Sequence, residues 1–284
     1  MKKYLMCLKR FGLLRYYGAL EAFTGAICIV AGKLFYRQIR DFVETRSVFE
    51  KAEAANWKIE RSAEFNRITG EIDSSRFSVF LERGSSDFPV FEQIFLHKEY
   101  LDYIKEYSRR FSEPETIVDL GANAGYASVF MHLFFNSAGY LIVEPFPRNY
   151  RCCMKNLELN KVRLLAAIEG AIWSENSVLY LSDRYGDGRE WAKSVSRTGT
   201  GEIRAYDMKT LINDNSLQGI DILKIDIENA EHEVFSGDCG FLEHVRSVVM
   251  EIHGEHCNIE KVFVSRDFEF MKIGNLYAAF KKEV

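Results

Sequence analysis

The chain has 284 residues, of which 47% are hydrophobic and 27% are charged, and its formal net charge is −4. This length and composition are typical of a globular protein with one domain and an appendage, and they exclude a disordered chain and a multi-spanning membrane protein. The slightly acidic balance disfavours a dedicated nucleic-acid binder, because such proteins carry a basic surface.

The N-terminal segment differs from the rest of the chain in charge. Residues 1–50 contain nine Lys or Arg against four Asp or Glu, and they enclose the apolar stretch 22–32. That stretch is shorter than the ~20 residues that span a bilayer. Three interpretations stay open: a buried helix, which we favour, a helix docked on a membrane surface, and a signal anchor. The spacing of apolar residues predicts helix through residues 1–65, and therefore a helical extension, 1–70, before a main domain, 71–284.

The spacing of the cysteines bears on whether the protein works in a reducing or an oxidising compartment. Six of them are scattered along the chain without a C-x-x-C pair, and no histidine pair has zinc-finger spacing. This pattern predicts reduced, mostly buried thiols rather than disulfides or structural zinc. We therefore expect a cytoplasmic protein, with peripheral membrane contact through residues 1–50 as an open alternative.

Two elements are predicted before the main sheet. The alternation of "RFSVFLERG", residues 76–84, predicts a strand, and residues 85–111 are predicted to form one helix. Ser86 or Asp87 is its expected N-cap, because short polar side chains accept hydrogen bonds from the first free amides.

From residue 116 the pattern changes to apolar, β-rich runs separated mostly by helical segments. The runs are 116–120, 139–145, 163–173, 219–228 and 246–254. This alternation predicts an α/β fold with a mostly parallel sheet covered by helices on both faces. Two alternating runs around Gly274-Asn275 predict a C-terminal antiparallel hairpin.

Residues 182–202 are polar and rich in glycine around a single tryptophan, Trp191. They predict a long loop, and the sequence leaves open whether it is a lid over a ligand or a plain surface loop.

The segment "IVDLGANAGYASVF", residues 117–130, places a glycine-containing turn at the end of the first parallel strand. Ligands of open parallel sheets bind at this edge. A dinucleotide-binding G-x-G-x-x-G motif would need glycine where this chain has Asn123 and Tyr126, and the turn contains no basic residue to attract a phosphate. The turn therefore favours a cofactor that approaches the backbone closely but carries no phosphate.

Glu144 ends the next predicted strand, where a carboxylate can accept hydrogen bonds from both hydroxyls of a ribose. With Asp119 at the end of the first strand, the crevice is acidic and suits a cationic nucleoside. S-adenosylmethionine is such a compound, since its sulfonium and amino groups are positively charged. The alternative is a glycine-rich turn without a ligand.

Four runs resemble the FkbM family of S-adenosylmethionine-dependent methyltransferases: "IVDLGANAGYAS", "LIVEPFPRNYRCCMKNLELN", "LKIDIENAEHEVFSG" and "VVMEIHG". The resemblance is strong over residues 116–282. It extends more weakly to the preceding segment "LERGSSDFPVFEQIFLHKEY", residues 81–100, and does not cover residues 1–70. It implies the class I methyltransferase (Rossmann-like) fold, with six parallel strands and a seventh antiparallel strand. The cofactor contacts expected on this basis are Asp119, Gly121, Asn123, Gly125, Glu144 and Pro145.

The chain departs from the family pattern at one position. Members usually carry glycine after the acid of "KIDIE", and this chain has Asn229. We expect the turn to be retained, because asparagine tolerates left-handed backbone better than most residues.

Two predicted strand ends supply candidates for a general base, which a hydroxyl acceptor needs because it is a poor nucleophile. Asp226 and Glu228 end one strand, Glu251 and His253 end the other, and alternation would place each pair on one side. His253 is the first choice because its reference pKa is about 6.5, and Glu228 is the second. Asp226 is expected to bind cofactor or acceptor, and each of these residues could instead be structural.

The same side chains, Asp226, Glu228, Glu251 and His253, could also gather Mg²⁺ or a similar hard cation that polarises the acceptor oxygen. The sequence does not show that their ligand atoms meet, so no metal is our main expectation.

The expected activity is methyl transfer to a hydroxyl of a sugar, glycan or secondary metabolite, with the acceptor class implied by the resemblance alone. A nucleic-acid methyltransferase is disfavoured, because "DIEN" stands where base-amino methyltransferases have an N-P-P-Y-like turn, and no nucleic-acid partner is expected. A non-catalytic cofactor-binding scaffold at a membrane is the third interpretation. The oligomeric state stays open.

Overall fold

The computed structural model describes residues 36–62, 64–83, 85–183, 193–228, 230–253 and 257–282. The apolar stretch 22–32, Trp191 of the predicted loop and the turn residue Asn229 lie outside these ranges. None of the described helices is both long and apolar enough to cross a membrane.

The described chain begins with one helix and a three-stranded antiparallel sheet. Helix α1 is Tyr36–Ala54, and strands β1 (Lys58–Arg61), β2 (Phe65–Ile72) and β3 (Ser75–Glu82) follow in spatial order β1-β2-β3. The helical prediction is therefore wrong from Lys58 onward, and the predicted division at residue 70 falls inside β2. Alternate residues of β2, including Ile68 and Ile72, are buried, so a period of two governs this segment.

The segment predicted as one helix is divided into α2 (Asp87–Phe91), a π-helical turn (Glu92–Leu96) and α3 (Leu101–Arg110). Lys98 has a positive φ of 54°, which interrupts the helical path. Ser86 is the N-cap residue of α2 but makes no side-chain capping hydrogen bond. Asp87 turns away from the helix, and its carboxylate accepts a hydrogen bond from the Glu82 amide at 2.7 Å.

The rest of the chain alternates strands and helices. Its elements are β4 (Thr116–Leu120), α4 (Tyr126–His132), β5 (Gly139–Glu144), α5 (Pro147–Leu159), β6 (Arg163–Glu169), β7 (Ala171–Ile172), β8 (Ser177–Asp183), β9 (Lys193–Ser196), β10 (Thr200–Tyr206), α6 (Met208–Asp214), β11 (Ile220–Ile225), α7 (Glu231–Ser236), a 3₁₀ helix (Cys239–His244), β12 (Val245–Met250), α8 (Cys257–Val264), β13 (Phe268–Ile273) and β14 (Leu276–Lys281).

Seven strands form the main sheet, in the order β13-β14-β12-β11-β4-β5-β6. β14 pairs antiparallel with both neighbours and all other pairs along β12-β11-β4-β5-β6 are parallel, so six strands share one direction and one opposes them. This is the class I methyltransferase sheet, and the predicted hairpin supplies its last two strands.

A second sheet, ordered β7-β10-β8-β9, occupies much of the predicted loop 182–202. The loop prediction is wrong for the end of β8, for β9 and for residues 200–202 of β10. The residues of β9 and of this part of β10 are mostly polar, so no apolar alternation marked them, but their backbone pairs with β8. The buried residues of β10, Ile203 and Ala205, follow the predicted loop.

The central strands of the main sheet are buried on both faces. Consecutive residues of β4, Ile117 and Val118, enter different hydrophobic clusters, one on each side. Strands buried on both faces read as continuous apolar runs, which is why the sequence shows them clearly. The cysteines Cys152, Cys153 and Cys239 are free and buried, as predicted for reduced thiols.

Candidate active site

Acidic residues collect where the central parallel strands end. Asp119 lies in β4, Glu144 is the last residue of β5, Asp226 follows β11 and Glu251 follows β12. Because parallel strands end at one edge of a sheet, these carboxylates lie at that edge, beside the turn after β4.

The turn after β4 depends on left-handed backbone. Gly121 and Gly125 have φ values of 77° and 81°, and Asn123 has a φ of 50°. Asparagine is tolerated there because it adopts this conformation more readily than most residues. A Cβ on Gly121 would lie 1.8 Å from the backbone oxygen of Asp226, so only glycine fits beside the end of β11.

A buried lysine ties this turn to the neighbouring strand. The Lys224 ammonium donates to the Gly121 carbonyl at 2.7 Å and lies 3.0 Å from Asp119 Oδ1, while Ser128 Oγ donates to Asp119 Oδ2 at 2.6 Å. Burial opposes the charged form of Lys224, but the carboxylates of Asp119, Asp226 and Glu144 together outweigh it and raise the pKa. Our sequence reasoning missed Lys224. The signal was a lysine inside the apolar run "DILKIDI", since a buried lysine requires an anionic partner.

Glu144 is held by two backbone amides. Its Oε2 accepts from Asn123 N at 2.7 Å and its Oε1 from Phe146 N at 2.9 Å. Only 2% of the residue is exposed, and burial raises the pKa of this carboxyl to about 7 although both amides lower it. The carboxylate is thus fixed in position at the end of β5.

A narrow groove runs along the turn and the strand ends. Its walls include Gly121, Asn123, Glu144, Pro145 and Asp226. No lysine or arginine is among the lining residues within the described part of the chain, so the groove suits a nucleoside without phosphates.

Two predicted cofactor contacts lie behind the groove rather than in its wall. Asp119 is 1% exposed and faces Lys224. Gly125 precedes α4 and packs against Cys153, whose Sγ would lie 2.9 Å from an added Cβ. Both residues shape the turn without lining either cavity described here.

A second cavity, of about 410 Å³, shares a wall with the groove. The shared residues are Gly121, Asn123, Asp226 and Glu228. The cavity continues towards α2, the π-helical turn and Tyr100, and Glu251 and His253 line its other side. Glu99 also lines it, and nothing in the local sequence pattern marked that residue.

The predicted base candidates do converge, but not by strand alternation. β11 ends at Ile225 and β12 at Met250, so all four side chains lie in the turns that follow. Glu228 has a φ of 52°, which turns the chain back towards the cavity.

His253 lies among carboxylates. Its Nδ1 is 3.3 Å from Glu231 Oε1, and its Nε2 is 3.6 Å from Glu228 Oε2 and 3.8 Å from Glu251 Oε1. The Glu231 contact raises the pKa of His253 to about 9, above the value near 6.5 that made it the first choice as base. Burial raises the pKa of Glu228 to about 8, of Glu251 to about 7, and also that of Asp226.

The FkbM methyltransferase domain matches residues 119–276, more than half of the chain. The chain belongs to the FkbM methyltransferase family. Methyltransferase 1 of Beauveria bassiana (strain ARSEF 2860) is 24% identical to it over 200 residues, covering 61% of this chain and 80% of that protein. Methyltransferase sdnD of Sordaria araneosa is 28% identical over 218 residues, covering 64% and 84%.

Solved structures similar to this FkbM methyltransferase include the following two. TrmK of M. capricolum, in complex with S-adenosylhomocysteine, has 10% identity and a TM-score of 0.38, covering 64% of this chain and 68% of that one. The 16S rRNA methyltransferase RsmC of T. thermophilus, with AdoMet and guanosine, has 14% identity and a TM-score of 0.45, covering 82% and 61%.

This FkbM methyltransferase uses S-adenosylmethionine as its cofactor. The groove fits that compound, because it runs along the tight turn that Gly121 permits, Glu144 offers a fixed carboxylate to the ribose, and the described walls carry no cation.

Proposed function

We propose that this methyltransferase transfers the methyl group of S-adenosylmethionine to a hydroxyl of a sugar, glycan or secondary metabolite. The observation that carries the proposal is the shared wall of Gly121, Asn123, Asp226 and Glu228 between the cofactor groove and the second cavity. An acceptor in that cavity would lie next to the reactive end of the cofactor. The polar side chains Gln93 and Glu99 would hydrogen-bond a polyhydroxylated molecule there.

Each side chain has a defined task in this proposal. The cofactor supplies a methyl group activated by its sulfonium. Glu144 holds the ribose, and the turn around Gly121 sets the direction in which the cofactor lies. Glu228 lines both cavities, so its carboxylate is placed to accept the hydroxyl proton as the oxygen attacks. Holding reactants in line can lower the barrier by roughly 7–11 kcal/mol.

The acidity of the cavity supports a small-molecule or glycan acceptor rather than a nucleic acid. Its lining carries the acids Glu99, Glu228 and Glu251 against two basic residues, Lys224 and His253. Where these carboxyls are ionised, they would repel the phosphates that dominate nucleic-acid binding. We also propose a cytoplasmic location, which the free, buried Cys152 and Cys153 support.

The proposal is tested by incubating the purified full chain with labelled S-adenosylmethionine and separate fractions of glycans, small metabolites, RNA and DNA. We expect label in a glycan or metabolite fraction, and mass spectrometry should identify a methyl ether. Transfer confined to nucleic acid, or to nitrogen alone, would overturn the proposal.

Glu228→Gln should lower kcat by at least about 100-fold while S-adenosylhomocysteine binding stays near the wild-type value, because the amide cannot accept the proton. Steady-state kinetics and calorimetry measure the two effects. Glu243→Gln, an exposed acid on the 3₁₀ helix, is the matched control and should leave kcat unchanged. Equal kcat values for the two variants would remove Glu228 from the mechanism.

S-adenosylhomocysteine should bind less tightly as the pH falls below about 7. The ribose hydroxyls need the ionised Glu144 carboxylate, and the pKa of that buried group is raised to about 7. Below that pH the free protein is protonated and binding must release a proton, so affinity falls by about tenfold per pH unit. Calorimetry from pH 5.5 to 8.5 measures the slope. Glu144→Gln should bind weakly with little pH dependence, and an unchanged slope would contradict the assignment.

A further inference from the structure

Three side chains at the edge of the second cavity bring metal-ligating atoms close together. Asp226, Glu251 and His253 each offer an oxygen or nitrogen atom, and these atoms lie within 4.8 Å of one another. Ligands that each lie about 2.0–2.6 Å from one cation are separated by roughly 3–5 Å, so the three are spaced to share an ion.

The fully buried carboxylate of Glu231 contacts one of these three side chains, His253. Glu231 is 0% exposed, its Oε1 contacts His253 Nδ1 at 3.3 Å, and its Oε2 has no hydrogen-bond partner within the described part of the chain. This contact leaves Nε2 facing Glu228 and Glu251 at 3.6 and 3.8 Å, which is longer than a hydrogen bond. A carboxylate on the far nitrogen is the usual support of a metal-binding histidine.

The charges around the point are unbalanced. The carboxylates are Asp226, Glu228, Glu231 and Glu251, and the cationic groups among the described residues that contact them are Lys224 and His253. Asp226 Oδ1 is itself buried without a hydrogen-bond partner in the same set of residues. A bound cation would satisfy these oxygens.

We propose that Asp226, Glu251 and His253 bind a divalent cation of the Mg²⁺ or Mn²⁺ kind, with Glu231 as the residue that positions His253. The role of the ion rests on the proposed function, since it would polarise the acceptor hydroxyl beside the cofactor. The hydroxyl oxygen then forms the new bond to the methyl carbon, the carbon–sulfur bond breaks with its electron pair left on sulfur, and the proton passes to Glu228. Glu228 is outside the ligand set and free for this task.

The test titrates Mn²⁺ into the full chain, with calorimetry for affinity and electron paramagnetic resonance for the ligands. We expect one site, with a nitrogen coupling from imidazole that disappears in His253→Gln. Glu251→Gln should weaken binding at least tenfold, and Glu231→Gln by about 10–100-fold. The exposed Glu243→Gln and His244→Asn are matched controls that should bind Mn²⁺ like the wild type.

S-adenosylhomocysteine binding by every variant shows that the fold and the cofactor groove are intact. If the wild type binds this product but not Mn²⁺, or if Glu251→Gln and Glu243→Gln bind Mn²⁺ equally, the metal site is overturned and the proposed methyl transfer is unaffected. If Mn²⁺ binds as expected but no hydroxyl acceptor is methylated, the site is upheld and the proposed function fails.

Discussion

Gly121→Ala should destabilise the protein by more than about 4 kcal/mol and abolish measurable S-adenosylhomocysteine binding. The added Cβ would lie 1.8 Å from the Asp226 carbonyl oxygen, and the φ of 77° adds the strain of a left-handed residue, about 1–2 kcal/mol. The strands cannot separate easily, because Asp226 N donates to Leu120 O at 3.1 Å. Losses this large are exceptional, and strain at a special backbone conformation is one of their few causes. Urea denaturation and calorimetry measure both effects.

Gly274→Ala is the matched control for this change. Gly274 also has a positive φ, 61°, but no atom lies within 4 Å of the position of its Cβ. We expect only the conformational cost, about 1 kcal/mol, with cofactor binding unchanged. If the two alanine variants were equally stable and bound the cofactor product equally well, the close approach of β4 and β11 would not explain the glycine.

Lys224→Met should cost about 3–5 kcal/mol of stability. The Lys224 and Asp119 side chains are 3% and 2% exposed and lie 3.0 Å apart, so the substitution leaves a buried carboxylate without its cation. The Gly121 carbonyl also loses its hydrogen-bond donor. We expect weaker S-adenosylhomocysteine binding because this bond no longer holds the turn after β4 in place. Urea denaturation near neutral pH gives the change in unfolding free energy.

The double variant Asp119→Asn/Lys224→Met separates the ion pair from packing. Neutralising Asp119 removes the unpaired charge, and the asparagine oxygen can still accept from Ser128, so the double variant should be more stable than Lys224→Met alone. If the two destabilisations simply add, Lys224 acts through packing rather than through Asp119.

Much of the fold follows from local pattern. The central strands of the main sheet are buried on both faces, so each appears as a short apolar run, and the hairpin is marked by Gly274-Asn275 between two alternating segments. The second sheet was missed because its edge strand, Lys193–Ser196, carries polar residues and is defined by pairing with β8. Pairing between distant segments leaves no periodic signal in either one.

In the candidate site, too, some residues could be predicted from the sequence and others could not. Asp119, Gly121 and Glu144 could be proposed from sequence because each has a fixed place relative to the end of a strand. The residues that contact them could not be predicted in this way. Lys224 meets Asp119 from the neighbouring strand β11, and the amide of Asn123 reaches Glu144 from the turn after β4.

The sequence by itself determined which segments form the parallel strands and the hairpin, and it showed a turn with acidic and without basic residues, because burial and backbone geometry act over a few neighbouring residues. Only the tertiary structure decided the environment of His253. Glu231, from the start of a helix, and Glu228, from the turn before it, meet the histidine there and raise its pKa to about 9. Electrostatic interactions depend on distance in space, and the separation of these residues along the chain does not reveal that distance.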